Sequence, residues 1–347
     1  MRIASVGCAL PGNVYEQEEL RRALAELWAG RFRNMRRIEQ IHRNVQVERR
    51  HLALTLDEYR ALRGFGDAND AYIRCALELS ERAIREALAR AELDVAEVDH
   101  IFSTSVTGIA VPSLDARLAN RLGLRSDVKR TPIFGLGCVG GAASIARASD
   151  YLRAFPRHNA LVLAVELCSL TLQRADASLV NVIASGLFGD GAACAVLRGA
   201  EVARRGPRVV ASRSIFYRDT EHVMGWELGD GGFKVVLSAD VPALAGGLRP
   251  DVDKFLAENG LTLGDIDWFL CHPGGPKVLE AIESSLALPR EALSRSWRHL
   301  SRVGNLSSAS VLFVLADALA EEPPPGTRAL LFAMGPGFCS ELVLLAW

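Results

Sequence analysis

The sequence has no marked excess of either charge. Its 347 residues include 40 lysines and arginines against 41 aspartates and glutamates, so the net charge is −1 with neutral histidines. A chain this balanced has no overall basic surface, and a dedicated nucleic-acid binder is not expected. The hydrophobic share of 49% and the charged share of 23% are those of a soluble globular protein, which excludes disorder and collagen.

Long apolar runs and paired cysteine motifs are also missing. No apolar stretch reaches the ~18 residues that a membrane-spanning helix needs. The apolar N-terminal segment stops at Pro11 and Gly12, so no signal peptide is predicted. The 7 cysteines are scattered, with no CxxC pair and no Cys/His spacing typical of zinc. We expect a reduced, cytoplasmic protein without a metal site.

Three blocks of sequence recur in the same order in the two halves of the chain. Residues 93–102 share their pattern of apolar, polar and acidic positions with residues 261–270. Residues 137–144 match 304–310, and residues 160–165 match 329–333, at nearly the same offset. The chain is therefore predicted to be an internal duplication, with an N-terminal half over residues 1–205 and a C-terminal half over 206–347.

Each half has the same predicted order of elements. A helix comes first (71–90; 252–259), and a buried strand follows it (101–105; 268–271). Next comes a helix of small residues, which starts at Cys138 in the first half and at Asn305 in the second. An apolar strand ends the series (161–165; 329–334). Strands that alternate with helices predict parallel pairing in α/β layers, and continuous apolar runs predict strands buried on both faces. We expect a layered α/β fold with pseudo-twofold symmetry and two central helices packed closely between sheets.

The duplication also indicates where chemistry would occur. Cys138 and Asn305 occupy equivalent helix starts, and His272 follows a predicted strand of the second half, so the three should meet near the pseudo-axis. A helix N-terminus and a nearby imidazole would lower the pKa of a thiol at Cys138. The simpler alternatives are a buried cysteine, a turn histidine and a helix-capping asparagine.

Three further segments have simpler interpretations beside functional ones. Residues 189–191, Gly-Asp-Gly, are interpreted as a turn, with Phe188 beside it facing a cavity. Residues 335–337, Gly-Pro-Gly, would end a strand or shape a pocket. The basic stretch over residues 31–50 is either a solvated helix face or a mouth that holds phosphates.

As a set, these motifs resemble the type III polyketide synthases, the chalcone-synthase-like enzymes. The resemblance rests on residues 137–141, 188–191, 272–276, 304–309 and 335–337, and it runs across nearly the whole chain. The ketoacyl synthase III enzymes share the Cys-His-Asn trio but place Gln-Ala-Asn after the histidine, where this chain has Pro-Gly-Gly-Pro. Departures such as Val111, Cys168 and Met334 are similar to bacterial members rather than to plant enzymes.

The resemblance implies a fold, an assembly and a set of site residues. The fold would be the thiolase fold, a duplicated five-layered αβαβα sandwich, and the protein a homodimer. Cys138 would be the acyl-carrying nucleophile, with His272 and Asn305 completing the catalytic set. The remaining implied positions are Phe188 and Phe233 at the passage from the coenzyme A tunnel, Cys168, Thr171, Gly335, Pro336 and Gly337 around the cavity, and Arg36, Arg37 and Arg43 gripping coenzyme A.

The implied reaction needs coenzyme A thioesters as substrates and no metal or redox cofactor. Malonyl-CoA would be condensed repeatedly with decarboxylation onto an acyl-CoA starter, expected to be a fatty acyl group, and the chain would cyclise to an alkylpyrone or alkylresorcinol. The alternatives are a tetrahydroxynaphthalene synthase that uses malonyl-CoA alone, a ketoacyl synthase III-like priming enzyme, a cysteine hydrolase, or a degenerate partner subunit.

Overall fold

The computed structural model describes residues 1–29, 35–176 and 178–347, and it describes no side chains for residues 35–37. The strands of the described residues are β1 (Arg2–Ala9), β2 (Asn13–Glu16), β3 (Arg49–Leu52), β4 (His100–Thr104), β5 (Lys129–Ile133), β6 (Asn159–Leu167), β7 (Asp190–Arg198), β8 (Arg208–Phe216), β9 (Met224–Gly229), β10 (Gly232–Leu237), β11 (Trp268–Cys271), β12 (Arg328–Gly335) and β13 (Cys339–Ala346). The helices are α1 (Gln17–Leu27), α2 (Met35–Asn44), α3 (Leu56–Ala61), α4 (Phe65–Ala91), α5 (Leu114–Leu122), α6 (Gly140–Ala154), α7 (Leu179–Leu187), α8 (Val241–Gly246), α9 (Arg249–Glu258), α10 (Pro276–Leu286), α11 (Ser294–Val303) and α12 (Ser310–Ala320).

The main sheet repeats one arrangement in its two halves. Within the described residues nine strands hydrogen-bond in the order β11-β12-β13-β8-β1-β7-β6-β4-β5. The run β4-β6-β7-β1 of the first half corresponds to β11-β12-β13-β8 of the second, and the two runs join through the pair Arg2 and Arg208. This repeat confirms the duplication. The predicted boundary at residues 205 and 206 falls in the connection between β7 and β8.

Only some of the strands pair in parallel, which corrects the expectation of parallel pairing drawn from the sequence. β4 runs parallel to β5 and β6, and β11 runs parallel to β12, whereas the pairs towards the middle are antiparallel. β12 and β13 are antiparallel because the short turn between Gly335 and Cys339 returns the chain along the strand it has just left.

The two halves of the sheet form two layers of the fold, and the helices form the other three. α6 and α12 lie in the middle, where Ile145 and Leu312 share one hydrophobic core with apolar side chains of both sheet halves. α4 covers the first half from outside, with Ala76, Ala83 and Ala87 in a buried stripe that follows the helical repeat. α9, α10 and α11 pack on the outer side of the second half. The layers therefore form the expected five-layered sandwich.

Glycine permits the close contact between the two central helices. A Cβ placed on Gly141 would lie 2.2 Å from the backbone oxygen of Ser308, and one on Gly140 would lie 2.6 Å from Thr104 Oγ1. Each helix also begins later than predicted, because a single 3₁₀ turn comes first, at Gly137–Val139 and Ser307–Ala309. These equivalent turns place the candidate site residues side by side.

Candidate active site

Cys138, His272 and Asn305 line one cavity of about 850 Å³. Cys138 lies in the 3₁₀ turn that leads into α6, and Asn305 lies just before the equivalent turn that leads into α12. His272 follows the end of β11. The duplicated fold thus brings the three predicted residues together from distant parts of the chain.

The loop that carries Cys138 is held by the turn between β12 and β13. A Cβ on Gly137, whose φ is +49°, would lie 2.6 Å from the ring of Pro336. Gly335 is equally constrained, since its Cβ would lie 2.6 Å from the oxygen of Leu136. The Gly-Pro-Gly segment therefore forms a strand-ending turn and also supports the thiol-bearing loop.

The Cys138 thiol donates a hydrogen bond to Ser307, with 3.6 Å between Sγ and Oγ. Burial raises the pKa of Cys138 to about 11, because a thiolate loses its water, while the side chains of Ser307 and Asn305, which can donate to the thiolate, act in the opposite direction. This corrects the expectation of a lowered pKa. Desolvation outweighs the helix N-terminus here, so the resting group is a neutral thiol.

The His272 imidazole lies in the cavity without a protein partner. Neither ring nitrogen has a hydrogen bond to any described residue, and the side chain is buried. Burial lowers the pKa of His272 to about 3, so the ring is neutral near neutral pH. The backbone is anchored, because its N–H donates to the oxygen of Phe332 at 2.9 Å. A neutral ring with two free nitrogens can accept one proton and donate another.

The Asn305 amide is oriented at both ends. Its Nδ2 donates to the oxygen of Gly274 at 3.2 Å, and its Oδ1 accepts from the N–H of Ser307 at 2.7 Å. Its backbone N–H donates to the oxygen of Leu187 at 2.9 Å. The second hydrogen on Nδ2 has no assigned acceptor among these contacts, so the amide can donate to a bound oxygen.

Phe188 forms a wall of the cavity beside Asn305, with which it makes an isolated parallel bridge. The segment that follows is not the predicted turn. Asp190 begins β7 and is fully buried, where its carboxylate accepts from the N–H groups of Ala53 and Ser169. Gly189 is needed because a Cβ there would lie 2.4 Å from the oxygen of Val303.

The other predicted pocket residues lie at different depths. Cys168 and Pro336 line the cavity, whereas Thr171 lines a second space next to it. Phe233 lies behind the wall, packed edge-on against Phe65 and Trp226 with ring centroids 5.7 and 5.9 Å apart. Gly335 and Gly337 support the turn and do not line the cavity.

Of the three predicted coenzyme A arginines, Arg43 has a described side chain, and it does not line the cavity. Arg43 is exposed on α2, while Ile41 and Asn44 of the same helix do line the cavity. The side chains of Arg36 and Arg37 lie outside the described residues. Lys277, at the start of α10, lines the cavity and was missed by the sequence analysis.

Further lining residues that were not singled out from the sequence include Ser307, Met224 and Trp226. Ser307 belongs to the repeated block around Asn305, which could have drawn attention to it. Met224 and Trp226 line the cavity from β9, whose sequence has no recognisable motif. Their position depends on how the β9–β10 hairpin folds over the site. Among the described residues no cluster of acidic, histidine or cysteine side chains could hold a metal ion.

A half-buried cysteine beside a buried imidazole and a buried amide, at the centre of a duplicated thiolase fold, defines an acyl-transferring condensing enzyme. The chain belongs to the chalcone and stilbene synthases: the model of their N-terminal domain matches residues 1–201, and that of their C-terminal domain matches residues 208–346. It is a type III polyketide synthase, an acyltransferase. No helix in the described part of the chain is long and apolar enough to cross a membrane.

Individual relatives agree with this assignment. A 1,3,6,8-tetrahydroxynaphthalene synthase of Streptomyces peucetius subsp. caesius is 50% identical over 99% of this chain and 93% of its own length. A putative chalcone synthase of Bacillus subtilis is 38% identical over 99% of this chain and 98% of its own length. The crystal structure of the 1,3,6,8-tetrahydroxynaphthalene synthase from Streptomyces coelicolor A3(2) is 32% identical and superposes with a TM-score of 0.95, covering 100% of this chain and 99% of that one.

Proposed function

We propose that this type III polyketide synthase uses malonyl-CoA as both starter and extender and forms a tetrahydroxynaphthalene. The observation that carries the proposal is the 50% identity, over 99% of the chain, to a synthase named for that product. This replaces the fatty acyl starter as the main hypothesis. Alkylpyrone or alkylresorcinol formation remains an outcome that the experiment below distinguishes.

In the proposed mechanism Cys138 carries the growing chain. As its sulfur attacks the thioester carbonyl, the thiol proton passes to His272, the imidazole of the cavity wall. Coenzyme A leaves as the free thiol after taking up a proton, and the acyl group remains as a thioester of Cys138. Burial disfavours both separate charges, so proton transfer coupled to attack is the path that the neutral resting pair supports.

Extension follows when a second malonyl-CoA enters. Cleavage of its carboxylate releases carbon dioxide and leaves an enolate, whose oxygen accepts hydrogen bonds from His272 and from the Nδ2 of Asn305. Donors positioned in advance in this way are typically worth a few kcal/mol each. The enolate carbon attacks the Cys138 thioester, the sulfur leaves, and the chain is longer by two carbons.

Coenzyme A would enter beside α2 and the start of α10. Lys277 lies on the cavity lining there, and Arg43 lies exposed on α2, so both are proposed to pair with the phosphates of the nucleotide. The same role is proposed for Arg36 and Arg37. Each cation would act on KM rather than on the chemical step.

We also propose that the enzyme is a homodimer. Among the described residues, Val111 is 88% exposed, and Phe134 and Phe216 are each 62% exposed. Apolar side chains so accessible are candidates for burial against a second copy. Sedimentation equilibrium should give twice the chain mass, and a monomer at micromolar concentration would refute the proposal.

The decisive experiment incubates the enzyme with isotope-labelled malonyl-CoA, alone and with acyl-CoA starters from acetyl to long-chain, and identifies the products by mass spectrometry. The proposal predicts one aromatic product from malonyl-CoA alone. Cyclised products only when a fatty starter is present would restore the alkylpyrone or alkylresorcinol hypothesis. Single condensation or simple thioester hydrolysis would instead indicate a priming enzyme or a hydrolase.

A further inference from the structure

A second cavity of about 570 Å³ adjoins the active-site cavity. The two share Cys168, Phe188, Trp226 and Val235 as lining residues, so these side chains form the partition between them. The far side of the second cavity is built by α1 and α3, mainly from apolar residues such as Leu20, Leu24 and Leu56. Nothing in the mechanism above uses this space.

One charged side chain, that of Arg50 on β3, lies in the wall of this second cavity although it is only 4% exposed. Its Nη1 donates to the oxygen of Phe188 at 2.9 Å, and its Nε donates to Oε1 of Gln17 at 3.2 Å. Its stem lies against Gly304, where a Cβ would be 3.4 Å from Cγ and Cδ of the arginine. The guanidinium is therefore held directly behind the partition.

The Arg50 guanidinium is not fully satisfied by the protein. Among the described residues its hydrogen bonds are those of Nε and Nη1, which leaves Nη2 without a partner, and no carboxylate forms an ion pair with it. The nearby Asp190 already accepts from Ala53 and Ser169. Burial lowers the pKa of Arg50 only to about 10, so it remains a cation near neutral pH. An incompletely paired buried cation is costly unless an anion or strong acceptor joins it.

The other charged residues on this lining have protein partners. Arg60 pairs with Asp57 and Glu26, and Arg63 pairs with Asp67. Arg174 donates to backbone oxygens of the segment before α4. Arg60 and Arg63 are moreover exposed to solvent, whereas Arg50 is a buried arginine of the described lining and has no carboxylate partner.

We propose that the second cavity receives the far end of the growing chain and that Nη2 of Arg50 pairs with the carboxylate of the starter unit. The inference rests on the proposed function, because a chain primed by malonyl keeps a carboxylate at the end away from Cys138. Since tetrahydroxynaphthalene has no carboxylate, this group leaves as carbon dioxide after the last extension. Each extension pushes that end further from the thioester, past the side chains that the two cavities share and towards Arg50. A guanidinium recognises a carboxylate by strong, directional hydrogen bonds. A fatty acyl end would instead bury a methyl group against the cation.

Arg50→Met tests this directly, because it keeps the length of the stem and removes the charge. Product formation is compared for malonyl-CoA alone and for hexanoyl-CoA with malonyl-CoA. We expect the fully extended malonyl-primed product to fall about tenfold or more, with shorter products released, while hexanoyl-primed extension changes less than about threefold. Arg85→Met, which removes an exposed arginine of α4 remote from both cavities, serves as the control.

Equal loss with both starters would show that Arg50 only supports the fold, and it would overturn the proposal. If Arg50→Met does not fold, Arg50→Gln is measured in the same way, since it keeps a donor without the charge. The wild-type enzyme supplies an independent measurement: acetyl-CoA, which lacks the carboxylate, should prime fewer fully extended chains than malonyl-CoA does. Equal extension from the two would also overturn the proposal. Failure of the wild type to extend malonyl-CoA alone would refute the proposed function instead.

Discussion

The thiol of Cys138 is hydrogen-bonded to Ser307, at 3.6 Å, and not to His272. Ser307 comes from the second half of the duplicated fold, two residues after Asn305, whose Oδ1 accepts from the N–H of Ser307. The thiol and the amide are therefore connected through one residue. No described residue hydrogen-bonds to the imidazole, which suits its proposed use first as a proton acceptor and then as a hydrogen-bond donor.

Replacing Ser307 by alanine should make Cys138 less acidic. When Cys138 ionises, the Ser307 hydroxyl can donate to the thiolate and so lowers the pKa of the thiol; its removal should raise that pKa further above about 11. At a pH below the pKa we expect alkylation by iodoacetamide to slow about tenfold. The pH profile of alkylation measures this. Ser144→Ala removes a buried hydroxyl without a hydrogen-bond partner and is the control. An unchanged profile in Ser307→Ala would contradict the assigned contact.

Cys138→Ala should abolish loading of the acyl group and leave the fold intact. The side chain is small, so removal of its sulfur leaves little empty space among its neighbours. Intact-protein mass spectrometry after incubation with an acyl-CoA should show no adduct. Cys168→Ala removes another thiol of the cavity lining and should still form the adduct. Chain extension by Cys138→Ala from a free starter thioester would refute the nucleophile role.

Asn305→Asp should separate decarboxylation from acyl loading. An aspartate keeps the acceptor for the N–H of Ser307 but loses the donor that Nδ2 offers to the enolate. We expect malonyl-CoA decarboxylation to fall about a hundredfold or more and self-acylation of Cys138 to fall much less. Chromatography of the coenzyme A thioesters measures the first rate, and mass spectrometry measures the second. Equal losses would count against the donor role.

The duplication explains why the convergence of Cys138, His272 and Asn305 on one cavity could be predicted from the sequence. Equivalent positions of a repeated fold meet at its pseudo-axis, so the match between the blocks around Cys138 and Asn305 already implied their proximity. The pKa of Cys138 could not be predicted in the same way. The sequence indicates the helix start, which would lower the pKa of the thiol. The burial that raises this pKa depends on side chains from both halves of the fold.

The cavity walls were harder to predict because they depend on how one hairpin is placed. Phe233, Val235 and Trp226 lie in neighbouring register positions of β9 and β10, yet only Val235 and Trp226 line the cavity. Phe233 packs against Phe65 instead. The sequence predicts Arg50 only as part of a basic stretch, because its position behind Phe188 results from a contact between distant segments.

Gly141→Ala should destabilise the protein because two central helices meet there. The added Cβ would lie 2.2 Å from the backbone oxygen of Ser308, which cannot move aside alone. We expect a loss of about 1–3 kcal/mol in the free energy of unfolding measured with urea. Gly66→Ala is the matched control: its Cβ meets nothing within 4 Å in α4, and alanine should stabilise that helix slightly. Similar changes in the two variants would contradict this packing.

Glu166 on β6 connects the two halves of the fold next to the active site. Its carboxylate is fully buried and accepts hydrogen bonds from Ser308, from the N–H of Val106 at 3.1 Å, and from Thr107 Oγ1 at 2.9 Å. Burial raises the pKa of Glu166 from 4.5 to about 7, although the hydrogen bonds act against this. The folded protein therefore holds this proton more tightly than the unfolded chain does.

Glu166→Gln should flatten part of the pH dependence of stability. Because the pKa of Glu166 is higher in the folded protein, its protonation stabilises the folded state. This contribution is complete at a pH below the unfolded pKa of 4.5 and is lost as the pH rises through about 7. For Glu166 this loss in the free energy of unfolding is of the order of 3 kcal/mol. Urea titrations of both proteins across this pH range measure the effect, and the difference between the two curves cancels the histidines and other groups that titrate in both. We expect wild type to lose stability relative to Glu166→Gln as the pH rises. Parallel curves would show that the carboxyl group ionises equally readily in the folded and unfolded states.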